Sequence, residues 1–310
     1  MPQHSLQATP SFAANRRGIW MMVAAMAGFV VNDAIVKYVS QGMPSAQLIF
    51  MRGVMASLLV LGMALALGAR AQLHQVLQAR VAARAAVDAC ATMIYLLSLF
   101  HLPLGNATAI NLAAPLFMVV FAVWFLKERP GAARWLAVAV GFTGVLCVVQ
   151  PSSEGFNAWA LLCLVGTLFH ATRDLMTRRI DPTIPSIVIT LATAMAVTLL
   201  SGTAVLVQGW QPFALAQLAW LATASVFLVV GYFLIIQCMR QGEVSLTAPF
   251  RYSALLFAVV LGYLVWGDVP NAWAWCGIAL LVGSGLYVVH NERGRSAARA
   301  RAAALQALAD

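Results

Sequence analysis

The sequence predicts an all-α integral membrane protein whose ten transmembrane helices form two inverted five-helix repeats. Three observations support this prediction. Of the 310 residues, 62% are hydrophobic and only 9% are charged, whereas soluble domains carry about 25% charged residues. The basic residues gather at alternate junctions between apolar segments. Two short motifs also recur at a nearly constant distance along the chain.

Ten apolar segments are long enough to span a membrane, since a helix needs about 20 apolar residues to cross a bilayer. Prolines lie at or near most of the junctions, where a missing backbone N–H costs little. The expected spans are 17–40, 44–68, 81–100, 103–126, 132–150, 156–178, 184–208, 213–238, 243–266 and 270–290.

The basic residues predict the orientation of these spans. Of the 19 Lys and Arg residues, 15 lie in one set of alternate loops and tails or within a few residues of them, four lie deeper within spans, and the opposite loops hold none. The basic side is therefore expected to be cytoplasmic, with both termini inside and the chain in the cell inner membrane. The net charge is +9. Because the basic residues are distributed in this way, we interpret the charge as a topology signal and expect no nucleic-acid partner.

The two halves of the chain share motifs at matching positions. Asp33, Lys37 and Pro44 recur 141 residues later as Asp174, Arg178 and Pro185. At an offset of 140, a second motif of Glu128, Pro130, Ala132 and Trp135 recurs as Asp268, Pro270, Ala272 and Trp275. Because five spans is an odd number, the two copies must face opposite ways. Such inverted repeats are typical of secondary transporters.

The predicted domains follow from this repeat. They are a cytoplasmic tail at 1–16, a first five-helix repeat at 17–150, a second at 156–290, and a cytoplasmic tail at 291–310.

The segment from Tyr95 to Pro151 and its counterpart in the second half carry a recognisable pattern. The pattern comprises small residues early in the fourth span, Pro115 within it, Glu128 at its end, and Gly141 and Gly144 in the fifth span. Together with Arg52 in the second span, it resembles the EamA-type family of the drug/metabolite transporter superfamily. The second half departs from it, with Asp268 for the usual Glu and Leu255 where the repeat would place the proline.

Ionisable residues within spans are costly and are therefore functional candidates. Asp33 and Arg52 lie at matching depths near the outer face and are predicted to form a gate ion pair, with Lys37 as the alternative partner of Asp33. The alternative interpretation is a structural ion pair that only holds two helices together. Asp174 and Arg251 form the predicted counterpart near the inner face. Arg251 is the predicted anchor for an anionic or zwitterionic substrate.

Neutral polar residues complete the predicted substrate pathway. Asn111 occupies the position equivalent to Arg251 in the repeat, at an offset of 140. The pathway further includes Asn32, Tyr95, Tyr232 and Tyr252. Asp88, one helical turn from Arg84, is expected to form only a salt bridge near the end of its helix.

The expected function is secondary active transport of a small polar organic metabolite of amino-acid type by alternating access. The family resemblance implies export in many members, and uptake of S-adenosylmethionine or riboflavin in others. The chain has no Walker motif, so ATP does not drive it. A channel and an intramembrane enzyme are the remaining alternatives, and no H-E-x-x-H motif or deep Ser–His pair favours the enzyme.

The expected partners are the small-molecule substrate and the lipid bilayer. Proton coupling and a homodimer stay open. The five cysteines lie in apolar segments without a C-x-x-C motif, so neither a metal nor any other cofactor is expected.

Overall fold

The computed structural model describes residues 12–126, 131–149, 158–177, 179–241 and 247–287, together with residue 290. Glu128, Arg178 and both predicted tails apart from residues 12–16 lie outside these ranges. Throughout the described ranges the chain is helical, with no β-strand. The predicted all-α class is therefore confirmed.

Eleven α-helices and two 3₁₀ segments make up the described part of the chain. Helices α1 to α9 are Phe12–Val39, Ser45–Ala66, Ala79–Leu99, Leu104–Asn111, Ala114–Leu126, Ala132–Val149, Ala158–Thr177, Ser186–Gln208 and Leu215–Gln241. Helix α10 is Ser253–Trp266, helix α11 is Ala272–Tyr287, and the 3₁₀ segments are Ala69–Leu77 and Ala248–Tyr252.

Seven helical segments of the described chain are long and apolar enough to cross a membrane. They are Arg16–Val39, Ser45–Ala66, Ala79–Leu99, Leu104–Phe121, Ser186–Gln208, Leu215–Cys238 and Pro249–Trp266. Two further apolar helices are shorter, at Trp135–Val149 and Ala272–Tyr287. The protein is thus a multi-pass membrane protein by helix length and composition.

Two of the expected spans are interrupted near their middle or start. Helix α4 ends at Asn111, and α5 begins at Ala114 with Pro115 in its first turn. In the ninth expected span, the 3₁₀ segment Ala248–Tyr252 contains a proline and precedes α10. Proline lacks the backbone N–H and collides with the preceding turn, so it ends or tightens a helix. The breaks place Asn111 and Arg251 beside irregular backbone.

The helices pack in pairs drawn from the two halves. Helix α1 packs against α9, α3 against α7, α2 against α8, and α4 against α10. Helices α2 and α8 are antiparallel, since Ala46 N–H donates to Gln208 Oε1 at 3.1 Å and the far end of α2 packs with Ile184 and Ile187. We call these two ends of the bundle the Pro44 end and the Ile184 end.

Small residues allow helices to approach closely at two places. A Cβ atom on Gly144 of α6 would lie 2.7 Å from the carbonyl oxygen of Gly277 in α11, so a larger residue would force the helices apart. In the α2–α8 pair, the hydroxyl oxygens of Ser57 and Thr198 lie 3.3 Å apart.

Candidate functional site

The first polar cluster joins α1, α2 and α3 towards the Pro44 end and consists of Asn32, Asp33, Arg52 and Tyr95. The Asn32 amide links its neighbours: Arg52 Nη1 donates to Asn32 Oδ1 at 3.3 Å, and Asn32 Nδ2 donates to Asp33 Oδ1 at 2.9 Å. The Tyr95 hydroxyl donates to Asp33 Oδ2 at 2.9 Å. Arg52 is only 5% exposed, so its charge depends on these partners.

The predicted direct contact between Asp33 and Arg52 is replaced by a bridge. The two side chains attract each other electrostatically. No salt bridge joins the Asp33 carboxylate to the Arg52 guanidinium among the described contacts. Asn32 fills the space between them because one amide can accept from the guanidinium and donate to the carboxylate.

Lys37 is not the alternative partner of Asp33 that the sequence suggested. Its Nζ donates to the Leu99 carbonyl oxygen at 3.2 Å and also to that of Leu102, and it lies 5.4 Å from the centre of the Trp266 ring. The carbonyl groups at the end of α3 have no helical partner, so they attract a cation. Lys37 therefore joins α1 to α3 and α10 at the Pro44 end.

The second polar cluster joins α3, α7 and α8 towards the Ile184 end and consists of Arg84, Asp88, Arg173, Asp174 and Thr193. Asp88, at 2% exposure, pairs with Arg173 at 2.8 Å and with Arg84 at 3.0 Å. Thr193 Oγ1 donates to Asp88 at 3.1 Å. Asp174 pairs with Arg173 at 2.8 Å. Two cations thus balance two anions in this cluster.

Arg251 does not pair with Asp174, contrary to the sequence-based expectation. Asp174 is held by the neighbouring Arg173, and no described carboxylate lies within salt-bridge distance of Arg251. The Arg251 side chain is exposed, although Ala254, Leu255 and Ala258, three, four and seven residues on, are all buried. Arg251 itself lies in the 3₁₀ segment that precedes this buried face of α10.

Further polar side chains lie between the two clusters in the middle of the bundle. The rings of Tyr95 and His170 are 6.0 Å apart, and His170 Nδ1 lies 2.8 Å from Asn111 Oδ1. Tyr232 interacts electrostatically with both Asp88 and Arg52. The predicted pathway residues Asn32, Tyr95, Asn111 and Tyr232 are therefore brought together, and Tyr252 is not. Its hydroxyl packs against Gly285 instead.

Equivalent positions of the repeat build both clusters. Asn32, Asp33 and Arg52 precede Arg173, Asp174 and Thr193 by 141 residues each. The guanidinium comes from α2 in the first cluster and from α3 and α7 in the second. The first cluster joins three helices of the first half, whereas the second joins α7 and α8 of the second half to α3.

Sequence reasoning missed the centre of the second cluster. Asp88 was expected to form only a local salt bridge with Arg84, whereas it is a buried carboxylate that holds two guanidinium groups from different helices. Its position well inside a span was the available signal, because an intramembrane acid is a functional candidate by default. His170 and Thr193 gave no comparable signal, since neither stands in a motif.

The network consists of hydrogen-bonding and charged side chains. Within the described ranges, no group of three His, Cys, Asp or Glu residues could hold a metal ion. The Arg52 Nε–H is buried and has no hydrogen-bond partner in the described part of the chain. Such an open donor is rare in a folded protein and suits an acceptor group on a ligand.

The EamA-like transporter family profile matches this sequence twice, at residues 16–150 and 157–289. The chain belongs to the EamA-like transporter family. The resemblance noted in the sequence is thereby confirmed. Membership makes the protein a multi-pass membrane transporter and not an enzyme.

Curated relatives carry transporter names. A protein named riboflavin transporter from Rhizobium johnstonii is 28% identical over 95% of this chain and 97% of its own length. The protein named pseudopaline exporter CntI from Pseudomonas aeruginosa is 26% identical over 90% of this chain and 98% of its own length. A crystal structure with 16% identity aligns over 91% of this chain and 99% of its own, with a TM-score of 0.62. That similarity concerns the fold alone.

Proposed function

We propose that this transporter is a secondary active carrier that moves a small polar organic metabolite of amino-acid type across the inner membrane, in the export direction. The observation that carries the proposal is the network of polar side chains linking the two clusters inside an apolar bundle. It contains both an acid, Asp33, and an open donor, Arg52 Nε. A zwitterion presents the complementary amine and carboxylate.

Alternating access by ten helices in two inverted repeats is part of this proposal. Helix contacts recur in equivalent pairs: α1 with α9 corresponds to α7 with α3, and α2 with α9 corresponds to α8 with α3. An inverted repeat produces such pairs because a pseudo-two-fold axis maps one helix interface onto another. The repeats would occupy 17–150 and 156–290, between tails at 1–16 and 291–310.

The proposed orientation places the Ile184 end and both termini in the cytoplasm. Single cysteines at positions 154 and 208 should react with an impermeant maleimide in intact cells once the native cysteines are removed. A cysteine at position 131 should stay unlabelled until the cells are opened. The reverse labelling pattern would invert the topology and contradict the proposed positive-inside orientation.

Uptake of a larger, ring-bearing metabolite is the second candidate. It is favoured by the riboflavin transporter name of a relative that aligns along almost the whole chain. The rings of Phe29 and Tyr232, which pack edge to face with centres 5.2 Å apart, offer an aromatic surface beside the two clusters. Stacking on such a surface would suit a flat heterocycle.

Counterflow in proteoliposomes tests the proposal and separates the candidates. Vesicles loaded with an unlabelled amino-acid mixture should accumulate labelled amino acid transiently, and vesicles loaded with riboflavin should not. Repeating the assay with an imposed pH gradient shows whether protons are coupled. Accumulation with riboflavin alone would replace the first candidate by the second, and flux that never saturates would indicate a channel.

A further inference from the structure

A cavity at the Pro44 end lies apart from both polar clusters. It has a volume of about 190 Å³ and lies between the start of α4, helix α10 and the loop before α11. Its walls include Pro103, Asn106, Gly262, Asp268 and Asn271. A water molecule occupies about 30 Å³ of liquid, so the cavity has room for a small organic group.

The end of α10 turns Asp268 towards this cavity. Gly267 adopts a left-handed conformation at φ 71°, and the Asp268 N–H donates to the Gly262 carbonyl oxygen at 3.2 Å. This arrangement is a glycine-based helix ending, which reverses the chain direction over the last turn. The Asp268 side chain consequently lies beside the helix that it follows, on the cavity wall.

Two hydrogen-bond acceptors on the cavity wall have no partner. The Asn106 Oδ1 atom is buried and accepts no hydrogen bond in the described part of the chain. The Asp268 carboxylate has neither a hydrogen bond nor an ion pair with any described residue. A carboxylate and an amide oxygen facing one small space favour a cation that donates hydrogen bonds.

Lys37 interacts electrostatically with Asp268. Its Nζ already donates to the Leu99 and Leu102 carbonyl oxygens, so two of its three N–H groups are used outside the cavity. Lys37 attracts Asp268 at a distance and leaves both wall acceptors open.

We propose that this cavity binds the protonated amino group of a small primary amine, with Asp268 and Asn106 as its acceptors. The ammonium group donates to the Asp268 carboxylate and to Asn106 Oδ1, and its short carbon chain lies against Ala258 and Val259 of the wall. None of the wall residues belongs to either polar cluster, and the proposed site does not depend on which metabolite is carried.

Calorimetry and thermal unfolding of the purified full-length protein in detergent micelles test this site. Methylammonium and ethylammonium chloride should bind the wild type and raise its unfolding temperature, whereas tetramethylammonium chloride, which cannot donate a hydrogen bond, should not. Asp268→Asn should weaken amine binding at least tenfold, and Asn106→Ala should weaken it less. Asp181→Asn, an exposed loop position, is the matched control and should bind as the wild type does.

A second variant keeps the test decisive if Asp268→Asn does not fold. Lys37→Met removes a like charge near the site and should strengthen amine binding, which a purely structural role of Asp268 would not produce. Equal binding by wild type and Asp268→Asn would overturn the proposal. So would equal stabilisation by sodium or potassium chloride, which would indicate an inorganic cation site. Neither result bears on counterflow, so the carrier proposal would stand or fall separately.

Discussion

Ser57 and Thr198 touch through their hydroxyl oxygens at 3.3 Å and are separated by 141 positions in the chain. That separation is also the offset between Asp33 and Asp174. Two equivalent residues of a repeat can meet only where the symmetry axis passes between them. The contact therefore supports a pseudo-two-fold axis between α2 and α8, as an inverted repeat requires.

Cysteines at these two positions should form a disulfide. In a background without the five native cysteines, Ser57→Cys with Thr198→Cys should cross-link readily under mild oxidation, detected as a tryptic fragment pair by mass spectrometry. A disulfide requires Cβ atoms about 3.5–4.5 Å apart. Because the two hydroxyl oxygens are in contact, we expect the Cβ atoms to reach this distance. The matched control is Ser57→Cys with Thr203→Cys, because Thr203 is exposed elsewhere on α8. Equal cross-linking in both pairs would remove this support for the axis.

Much of the fold was predictable from the sequence because membrane insertion imposes strong constraints. The length of the apolar segments identifies the helices, and the positions of the basic residues indicate that successive loops lie on alternate sides of the membrane. The predicted 44–68 and 184–208 agree closely with Ser45–Ala66 and Ser186–Gln208. The break after Asn111 was not predicted, since Pro115 alone does not say whether a helix bends or ends.

The site was only partly predictable, because pairing depends on the rotation of each helix about its axis. Depth along the helices placed Asp33 near Arg52 correctly. It could not show that the Asn32 amide would intervene, or that Asp174 would bind Arg173 rather than Arg251. These choices depend on packing between helices that are far apart in sequence, such as α3 with α7.

Removing the Asp88 carboxylate should destabilise the protein strongly. Asp88→Ala would leave the partly buried Arg84 and Arg173 without their shared anion, while Arg173 keeps Asp174. Breaking a fully buried pair costs about 3–5 kcal/mol, and we expect a loss up to that size. The unfolding temperature in detergent, followed by size-exclusion fluorescence, measures the loss. Asp181→Asn, on the exposed loop before α8, should unfold at the wild-type temperature.

Arg84→Met in the Asp88→Ala background should recover part of that stability, since it removes the charge left without an anion and keeps the Arg173–Asp174 pair. An Asp88→Ala protein that unfolds at the wild-type temperature would mean that water or lipid already compensates the two arginines.

Because Asn32 bridges Asp33 and Arg52, we expect transport to depend on this neutral residue. Asn32→Leu keeps the approximate side-chain volume but removes the acceptor used by Arg52 and the donor used by Asp33. Leaving buried polar groups unpaired costs about 1–3 kcal/mol for each, so counterflow should fall roughly as far as in Arg52→Ala. Gln217→Leu, which breaks a hydrogen bond to the Gly42 carbonyl at the bundle surface, is the comparison variant. Near-normal counterflow in Asn32→Leu would mean that Asp33 and Arg52 act independently.

Arg251, the anchor predicted from the sequence, is a second candidate donor for the acidic group of the substrate. Its side chain is exposed, so its replacement should leave folding intact. A hydrogen bond to a charged group contributes about 1.5–3 kcal/mol, which corresponds to roughly 10–100-fold in affinity. Arg251→Ala should therefore weaken binding of the transported metabolite by that factor in calorimetry. Arg251→Lys should weaken it less, because the charge remains while the planar pair of donors is lost.

The matched control is Arg70→Ala, because Arg70 is equally exposed but lies in the 3₁₀ segment Ala69–Leu77 at the Ile184 end. Both alanine variants lose one positive charge, so a general electrostatic effect would weaken binding alike in the two. An effect confined to Arg251 would indicate direct contact with an acidic group of the substrate. Wild-type affinity in Arg251→Ala would instead indicate that the acidic group of the substrate is bound in the first cluster. There the open Nε–H of Arg52 is the available donor.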